Sequence, residues 1–272
     1  MAQDIKGYAL VTGASSGIGA IYADRLAGRG HDLILVARNG ERLRAVADKI
    51  AAETGRKVEV VTADLGSAAD LLKIESLLKT DARITTLVNN AGIGATAPLL
   101  QADVDKMSEM ISLNVNALTR LTYAAVPGLV KRGGGTIINI ASIVAVGPEI
   151  LNGVYGGSKA FVLAFSQSLK HELADKGVRI HVVLPGATAT DFWDAAGTPI
   201  QHLPKEIVMP VTAMVDAALA GFDAGEFATI PSLPNVADWN TYEGARQILM
   251  PNLSRSEPAA RFGVAAKQAA LA

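Results

Sequence analysis

Residues Thr12 to Gly19 read TGASSGIG, directly after the apolar run GYALVT (7–12) and directly before a helix-like segment at 17–29. Gly13, Gly17 and Gly19 are separated only by small residues, so the backbone can turn tightly and approach a ligand with no side chain in the way. Such a turn between a first strand and a first helix points N–H groups outward at a helix N-terminus, where the charge of a pyrophosphate is stabilised. A glycine-rich turn alone is weak support for a dinucleotide site; its position between strand and helix strengthens it. The spacing is G-x-x-x-G-x-G, which differs from the commoner G-x-G-x-x-G.

Outward from this loop the same alternation continues. Apolar runs DLILVA (32–37), KVEVVTA (57–63), ITTLVN (84–89), GTIINIA (135–141), VRIHVVL (178–184) and a shorter EFATI (226–230) are separated by helix-like segments at 40–53, 67–79, 103–131, 155–176 and 206–223. Continuous Val, Ile and Leu suit strands covered on both faces. Strand and helix in strict alternation predict an α/β fold: a Rossmann-like doubly wound parallel sheet of about seven strands, helices on both faces, in a single domain over 1–272. After Pro185 the pattern loosens into GATATDFWDAAGTPIQHLP, and the expectation is a substrate lid near 188–204. The stretch 231–272 is a C-terminal extension with Trp239 and Tyr242 on a helix, free either to cover the substrate or to pack a subunit contact.

Bulk properties narrow the partner. The chain has 272 residues, 50% hydrophobic, with 25 basic and 26 acidic side chains and a net charge of −1, so no basic stripe points to nucleic acid. Cysteine is absent, which excludes disulfides, thiolate zinc sites and thiol nucleophiles together. His31, His171, His181 and His202 are scattered without metal-ligand spacing and read as surface or capping residues, so no metal is expected. Apolar stretches fall short of the ~18 residues that span a bilayer, so no membrane partner is expected. The opening MAQDIKGYALVTG carries Asp4 and lacks the basic start and small-residue cleavage site of a signal peptide, which predicts a cytoplasmic protein.

A small-molecule ligand remains, and the second strand bears on its charge. In dinucleotide folds an acidic residue ~20 positions after the glycine loop holds the ribose 2′-hydroxyl of NAD. Here that place reads VARN, and Arg38 suits a 2′-phosphate, favouring NADP over NAD. Asp64 in TADL, at the end of the third strand, can accept from an adenine amino group or cap the next helix.

Further along, Tyr155 and Lys159 in YGGSK stand four apart, on one helix face. Taken with the ordered motifs TGASSGIG (12–19), ADL (63–65), NNAG (89–92), NVN (114–116), Ser142 after the fifth strand and PGATAT (185–190), the chain resembles the short-chain dehydrogenase/reductase family in its short single-domain branch, over roughly residues 7–230. The resemblance implies an NAD(P)-dependent oxidoreductase that moves hydride between a nicotinamide and an alcohol or ketone. Asn114, Ser142, Tyr155 and Lys159 match the family's catalytic tetrad. Thr12, Gly13, Ser15, Ser16, Gly17, Ile18 and Gly19 match its cofactor loop, Asp64 and Leu65 its adenine end, and Asn90, Ala91 and Gly92 the turn lining the cofactor. Pro185, Gly186 and Thr188 match the segment at the nicotinamide, with Tyr155 and Lys159 also on the cofactor side.

In that reading Tyr155 is the general acid and base, Ser142 holds the substrate oxygen, Lys159 grips the nicotinamide ribose, and Asn114 anchors a water linking Lys159 to solvent. For Tyr155 to act as a base near neutral pH it needs about 4 kcal/mol of help. An ammonium one turn away supplies about 3 kcal/mol at an effective dielectric of about 20, and an oxidised nicotinamide adds its own charge. Candidate pocket residues in the flanking loops are Ile143, Val144, Glu149, Ile150, Asn152, Phe192 and Trp193. The family assembles as dimers or tetramers, and helices 103–131 and 155–176 carry surplus small and apolar residues for it, among them Ala124, Ala125, Phe161, Ala164 and Phe165. Two rival readings are a non-catalytic NAD(P)-binding sensor and an epimerase or dehydratase of the extended branch.

Overall fold

The structure is a computed structural model that describes residues 6–264. The chain forms two compact units, Met1–Pro231 and Ser232–Ala272. The opening residues around Asp4, and the end of the C-terminal extension, lie outside the described residues.

In the larger unit the elements run β1 (Tyr8–Thr12), α1 (Gly17–Gly28), β2 (Asp32–Ala37), α2 (Gly40–Thr54), β3 (Val58–Thr62), α3 (Ala68–Thr80), β4 (Ile84–Asn89), α4 (Val104–Ile111), α5 (Leu118–Lys131), β5 (Gly135–Ile140), α6 (Gly153–Glu172) and β6 (Val178–Val183). They continue through the short β7 (Thr188–Ala189), α7 (Phe192–Ala196), β8 (Met209–Pro210), α8 (Val211–Asp223) and β9 (Ala228–Thr229). Among the described residues one parallel sheet of seven strands has the order β3-β2-β1-β4-β5-β6-β9, and β7 pairs with β8 apart from it.

The apolar runs become strands because both sides of the inner ones are covered, β3 at the edge being half-buried. Successive residues of β1 point to opposite faces. Leu10 joins the core formed with Ile34, Leu87, Ile74 and Leu78 of α3, and Leu121 of α5, while Val11 joins the one formed with Leu35, Tyr22 of α1, Leu43 of α2 and Met214 of α8. Each buried leucine or isoleucine contributes about 1.5–3 kcal/mol. Chain order reverses beside β1, between β1 and β4, and the loops leaving these two strands part to open a crevice at their C-terminal ends.

Two helices and two histidines differ from the sequence expectation. The helix expected over 103–131 is α4, a π-type turn at Ser112–Ala117, and α5. The wider turn carries Asn114, whose side chain bonds the Ile93 backbone and Ser158. The helix expected from 206 begins at Val211, because Met209 and Pro210 pair with β7 and a proline suits the position just before a helix. His31 and His181 are buried, not at the surface. The His181 ring lies edge-on to Phe222 with Nδ1 against the Glu226 carbonyl, and burial pushes its pKa down to about 4. In the smaller unit α9 (Val236–Leu249) is capped by Asn235, and its Trp239 and Tyr242 rings sit 5.4 Å apart.

A polar chain crosses the apolar interior. Asn89 Nδ2 donates to Thr122 Oγ1 (3.0 Å) and Asn139 Oδ1 (2.9 Å), and Asn139 Nδ2 donates to Ser166 Oγ (2.9 Å), tying β4 and β5 to α5 and α6. Asn139 is fully buried, so Asn139→Ala takes one of its two acceptors from the Asn89 amide and the donor from Ser166, and should destabilise the protein by about 1–3 kcal/mol. Denaturant unfolding checks this, and an unchanged midpoint contradicts it.

Candidate active site

At the base of the crevice the loops after β1 and β4 are tied to each other by a bracket of hydrogen bonds. Thr12 Oγ1 donates to Val88 O (3.2 Å) and accepts from the N–H groups of Asn90 and Ala91 (both 3.0 Å). Asn90 Nδ2 donates back to Thr12 O (2.8 Å) and Gly13 O (3.2 Å). The polar atoms of Thr12 and Asn90 therefore shape the loop walls from within. Gly13 (φ 67°) and Gly17 (φ 55°) occupy the left-handed region, and a β-carbon on Gly19 would fall 2.5 Å from Asn90 Nδ2.

The first turn of α1 has extended Ser16 before it with no side-chain cap, leaving the helix N-terminus to an external anion. A backbone cradle at an uncapped helix start fits a pyrophosphate. Ser16 is exposed, Ser15 is half-buried, and Ile18 packs against the core of that face. One threonine that meets the loop was not singled out from the sequence: Thr190 Cγ2 lies 3.2 Å from where a β-carbon on Gly17 would stand. Its place at the end of PGATAT was the available signal.

At the end of β2, Arg38 is exposed, and Asn39 caps α2 by accepting from Arg42 N (2.9 Å). Arg42, another residue missed, pairs with Asp191 at 3.3 Å, so the segment after β6 reaches the Arg38 side of the crevice. Asp64 Oδ1 accepts from Gly66 N (2.9 Å) in a local turn, and Ser67 takes the cap position of α3. The Leu65 side chain is buried in the core, leaving only its backbone to a ligand.

Three elements bring the tetrad together: the π-type turn, the end of β5, and the first two turns of α6. Asn152 starts α6, accepting from Val154 N (2.9 Å) and Tyr155 N (3.3 Å) while Nδ2 donates to Ala97 O (2.6 Å). It is a helix cap and not a pocket wall. Tyr155, Lys159 and Ser142 are 6%, 7% and 8% exposed. Ser142 hydrogen-bonds Tyr155, and its Oγ also lies 3.4 Å from Pro185 O. Lys159 Nζ donates to Ile140 O (2.9 Å) and lies 5.9 Å from the centre of the Tyr155 ring. A β-carbon on Gly92 would stand 3.0 Å from Asn114 Oδ1 and 3.5 Å from Lys159 Nζ, so this glycine keeps the space between them open. Asn114 Nδ2 donates to Ile93 O (2.8 Å) and Ser158 Oγ (3.1 Å), and Oδ1 accepts from Ile93 N (3.0 Å).

Electrostatics here run opposite to the expectation that Lys159 lowers Tyr155. Burial pushes the Tyr155 phenol up to about 12, opposed by its hydrogen bond to Ser142, and burial pulls Lys159 down to about 8. Desolvation outweighs attraction because neither group keeps enough water to carry its charge cheaply.

Beyond β6, Thr188 Oγ1 donates to Gly186 O (3.1 Å), and Trp193 Nε1 to Thr188 O (3.0 Å). Of the expected pocket residues, Val144 and Phe192 pack in the cluster around Tyr155, Ile143 is half-buried, and Glu149 and Ile150 are exposed. That cluster also holds Ile93, Met107, Met110, Leu151 and Val154, which sequence reasoning did not single out because only packing brings residues of α4, α6 and the loop after β4 together around Tyr155.

A family model described as short chain dehydrogenase matches residues 7–200. The chain belongs to the short chain dehydrogenase family. It is similar to a short-chain dehydrogenase from Sphingobium yanoikuyae solved in complex with NADPH, at 47% identity over 93% of this chain and 98% of that one, with a TM-score of 0.90. A bulky-bulky ketone specific alcohol dehydrogenase from Comamonas testosteroni is 41% identical over 94% of this chain and 98% of its own, TM-score 0.86. Very-long-chain 3-oxoacyl-CoA reductase of Anas platyrhynchos is 38% identical over 67% of this chain, and the match spans 60% of that protein's length.

The lowered Lys159 makes a stability prediction for this short chain dehydrogenase. Below about pH 8 the buried lysine is charged in the folded and unfolded states alike, so its desolvation cost is present in full. From about pH 8 to its unfolded value of 10.5 the folded protein loses the proton first, and stability from this group rises with pH. Lys159→Met should therefore melt higher than wild type at pH 7, with the gap closing towards about pH 10. A gap that is absent or widens with pH contradicts this.

Proposed function

We propose that the protein is an NADP-preferring oxidoreductase that interconverts an alcohol and a ketone, with Tyr155 as its proton donor and acceptor. The single observation that carries this is the Tyr155 phenol, buried, joined to Ser142 and one helical turn from Lys159. When bound, the nicotinamide supplies or accepts the hydride. Its phosphates would lie against Gly13, Ser15, Ser16, Gly17, Ile18 and Gly19, with Thr12 holding the loop from behind. Arg38 would meet the 2′-phosphate, assisted by Arg42. Asp64 and the Leu65 backbone would bound the adenine. Asn90, Ala91 and Gly92 would line the middle of the crevice, Lys159 would take the ribose, and Pro185, Gly186 and Thr188 would back the nicotinamide.

Reduction is the direction that suits the free protein. A phenol pushed up to about 12 is fully protonated at neutral pH and ready to donate to a carbonyl oxygen. Ser142 hydrogen-bonds the same oxygen as its charge develops, and protonated Lys159 stabilises the phenolate left behind. Asn114 fixes the Ile93 loop and faces the space over Gly92 shared with Lys159, where a water returns the proton from solvent. A working proton donor of this kind has no use in a non-catalytic sensor.

The segment near 188–204 acts as the lid, drawn to the crevice by the Asp191–Arg42 pair. Assembly into a dimer or tetramer uses α5 and α6, where Tyr123 stacks on Phe165 (6.3 Å) and Phe165 on Phe161 (5.6 Å), with Tyr123 69% exposed. Ala164 is exposed beside them, whereas Ala124 and Ala125 face the core. The working compartment is the cytoplasm; no helix among the described residues is long and apolar enough to cross a membrane.

Tyr155→Phe should lower ketone turnover about 10²–10⁴-fold while NADPH binding, read by fluorescence titration, stays close to wild type. Residual turnover near wild type removes Tyr155 from the role. Arg38→Asp should weaken NADPH binding about tenfold or more, since a charged hydrogen bond is lost and repulsion gained, and leave NADH binding little changed. Equal preference in wild type and variant contradicts the Arg38 assignment.

A further inference from the structure

The lid residue Phe192 sits on the catalytic tyrosine. Its ring centre is 5.7 Å from that of Tyr155, and it meets Trp193 edge-on at 5.6 Å. Trp193 is itself buried and pinned by its bond to Thr188 O, which fixes the start of α7 and directs Phe192 inward. On the opposite side the ring presses on Gly94: a β-carbon there would lie only 2.7 Å from Phe192 Cε2. The rest of the seat is Ile93, Met107, Met110, Val144, Leu151 and Val154, together with Tyr155.

A carbonyl must come within hydrogen-bond reach of the Tyr155 hydroxyl to be reduced. The ring of Phe192 stands over that tyrosine, so a substrate and this ring compete for one volume. The seat is flat at Gly94, ring-sized, and walled by aliphatic and thioether side chains that offer no hydrogen bond, so a charged or strongly polar substituent would be desolvated there without a partner. The two methionines adapt to varied apolar shapes.

Resting on the ketone-reductase reading above, we infer that Phe192 marks the seat of the substrate's large apolar substituent, and that the protein selects uncharged ketones carrying an aryl or comparably bulky group, which displaces Phe192 and packs on Gly94. Gly94 and Phe192 are the specificity-determining pair. Gly94 lies outside the glycines with left-handed φ, so alanine there changes the space and not the backbone conformation.

The test is steady-state kinetics with NADPH on acetophenone, benzophenone, acetone and pyruvate, for wild type, Gly94→Ala, Phe192→Ala and the double variant, with NADPH titrated fluorimetrically for each. Wild type should prefer the two aryl ketones. Gly94→Ala should lower their kcat/KM about tenfold or more, since one methyl enters the seat, with acetone altered less than about twofold. The loss should persist in the double variant, because the methyl opposes the substrate's ring and not only Phe192. Phe192→Ala alone should lower KM for benzophenone, the competing ring being gone. NADPH affinity should stay constant throughout. Aryl-ketone kinetics insensitive to Gly94→Ala, or a loss in Gly94→Ala that Phe192→Ala restores, would overturn the shared seat. Wild type that reduces acetone or pyruvate but no aryl ketone overturns this inference and leaves the reductase reading intact. Wild type that reduces no carbonyl compound overturns both.

Discussion

A lysine ammonium held away from water at the end of β5 is the constraint around which the site is built. Lys159 is 7% exposed and donates to the Ile140 carbonyl. Every neighbour answers to that placement. A β-carbon on Gly92 would crowd Asn114 and come into contact with Lys159. Asn114 is brought opposite by a π-type turn that interrupts an otherwise continuous helix. Tyr155 stands one turn earlier on α6, and Asn152 fixes the start of that helix by capping both Val154 and Tyr155. Moving the lysine would leave each of these features without a physical reason.

The consequence for chemistry lies in the balance between burial and attraction. Charge attraction between Lys159 and a Tyr155 phenolate is worth a few kcal/mol at the effective dielectric of a protein. Burial of both groups works against it and prevails in the free protein, which holds the phenol protonated and the lysine easily discharged. In the proposed reaction a site so arranged serves as an acid, and as a base only once further positive charge arrives. Phe192 completes the arrangement by keeping solvent off the phenol until an apolar group takes its place.

Much of the fold was legible in the sequence, because continuous Val, Ile and Leu runs alternating with helical segments suit strands covered on both faces, and glycines at 13, 17 and 19 suit a tight turn and a close approach. The spacing of Tyr155 and Lys159 likewise placed them on one helix face. What escaped was anything set by packing in three dimensions. No periodicity announces the π-type turn at Ser112–Ala117, since its cause is the bonds of Asn114 to Ile93, twenty-one residues away in the chain. Thr12 and Asn90, expected at the cofactor, also bracket each other, which no motif announces. Asn152 looked like a pocket wall and is a cap. Gly94 passed unnoticed because its meaning depends on Phe192, which reaches it from a different loop. The sign of the Tyr155 perturbation was also hidden, because spacing reports attraction between two charges but not how deeply both are buried.

The most direct measurement of the central claim is the ionisation of Tyr155 itself. Tyrosinate absorbance of the free protein, taken as the difference between wild type and Tyr155→Phe across an alkaline titration, isolates this phenol from the other tyrosines. No phenolate from Tyr155 is expected up to about pH 10, with ionisation only near about 12. A difference signal titrating below the ordinary tyrosine value of about 10 would contradict this and mean that Lys159 governs the phenol in the free protein.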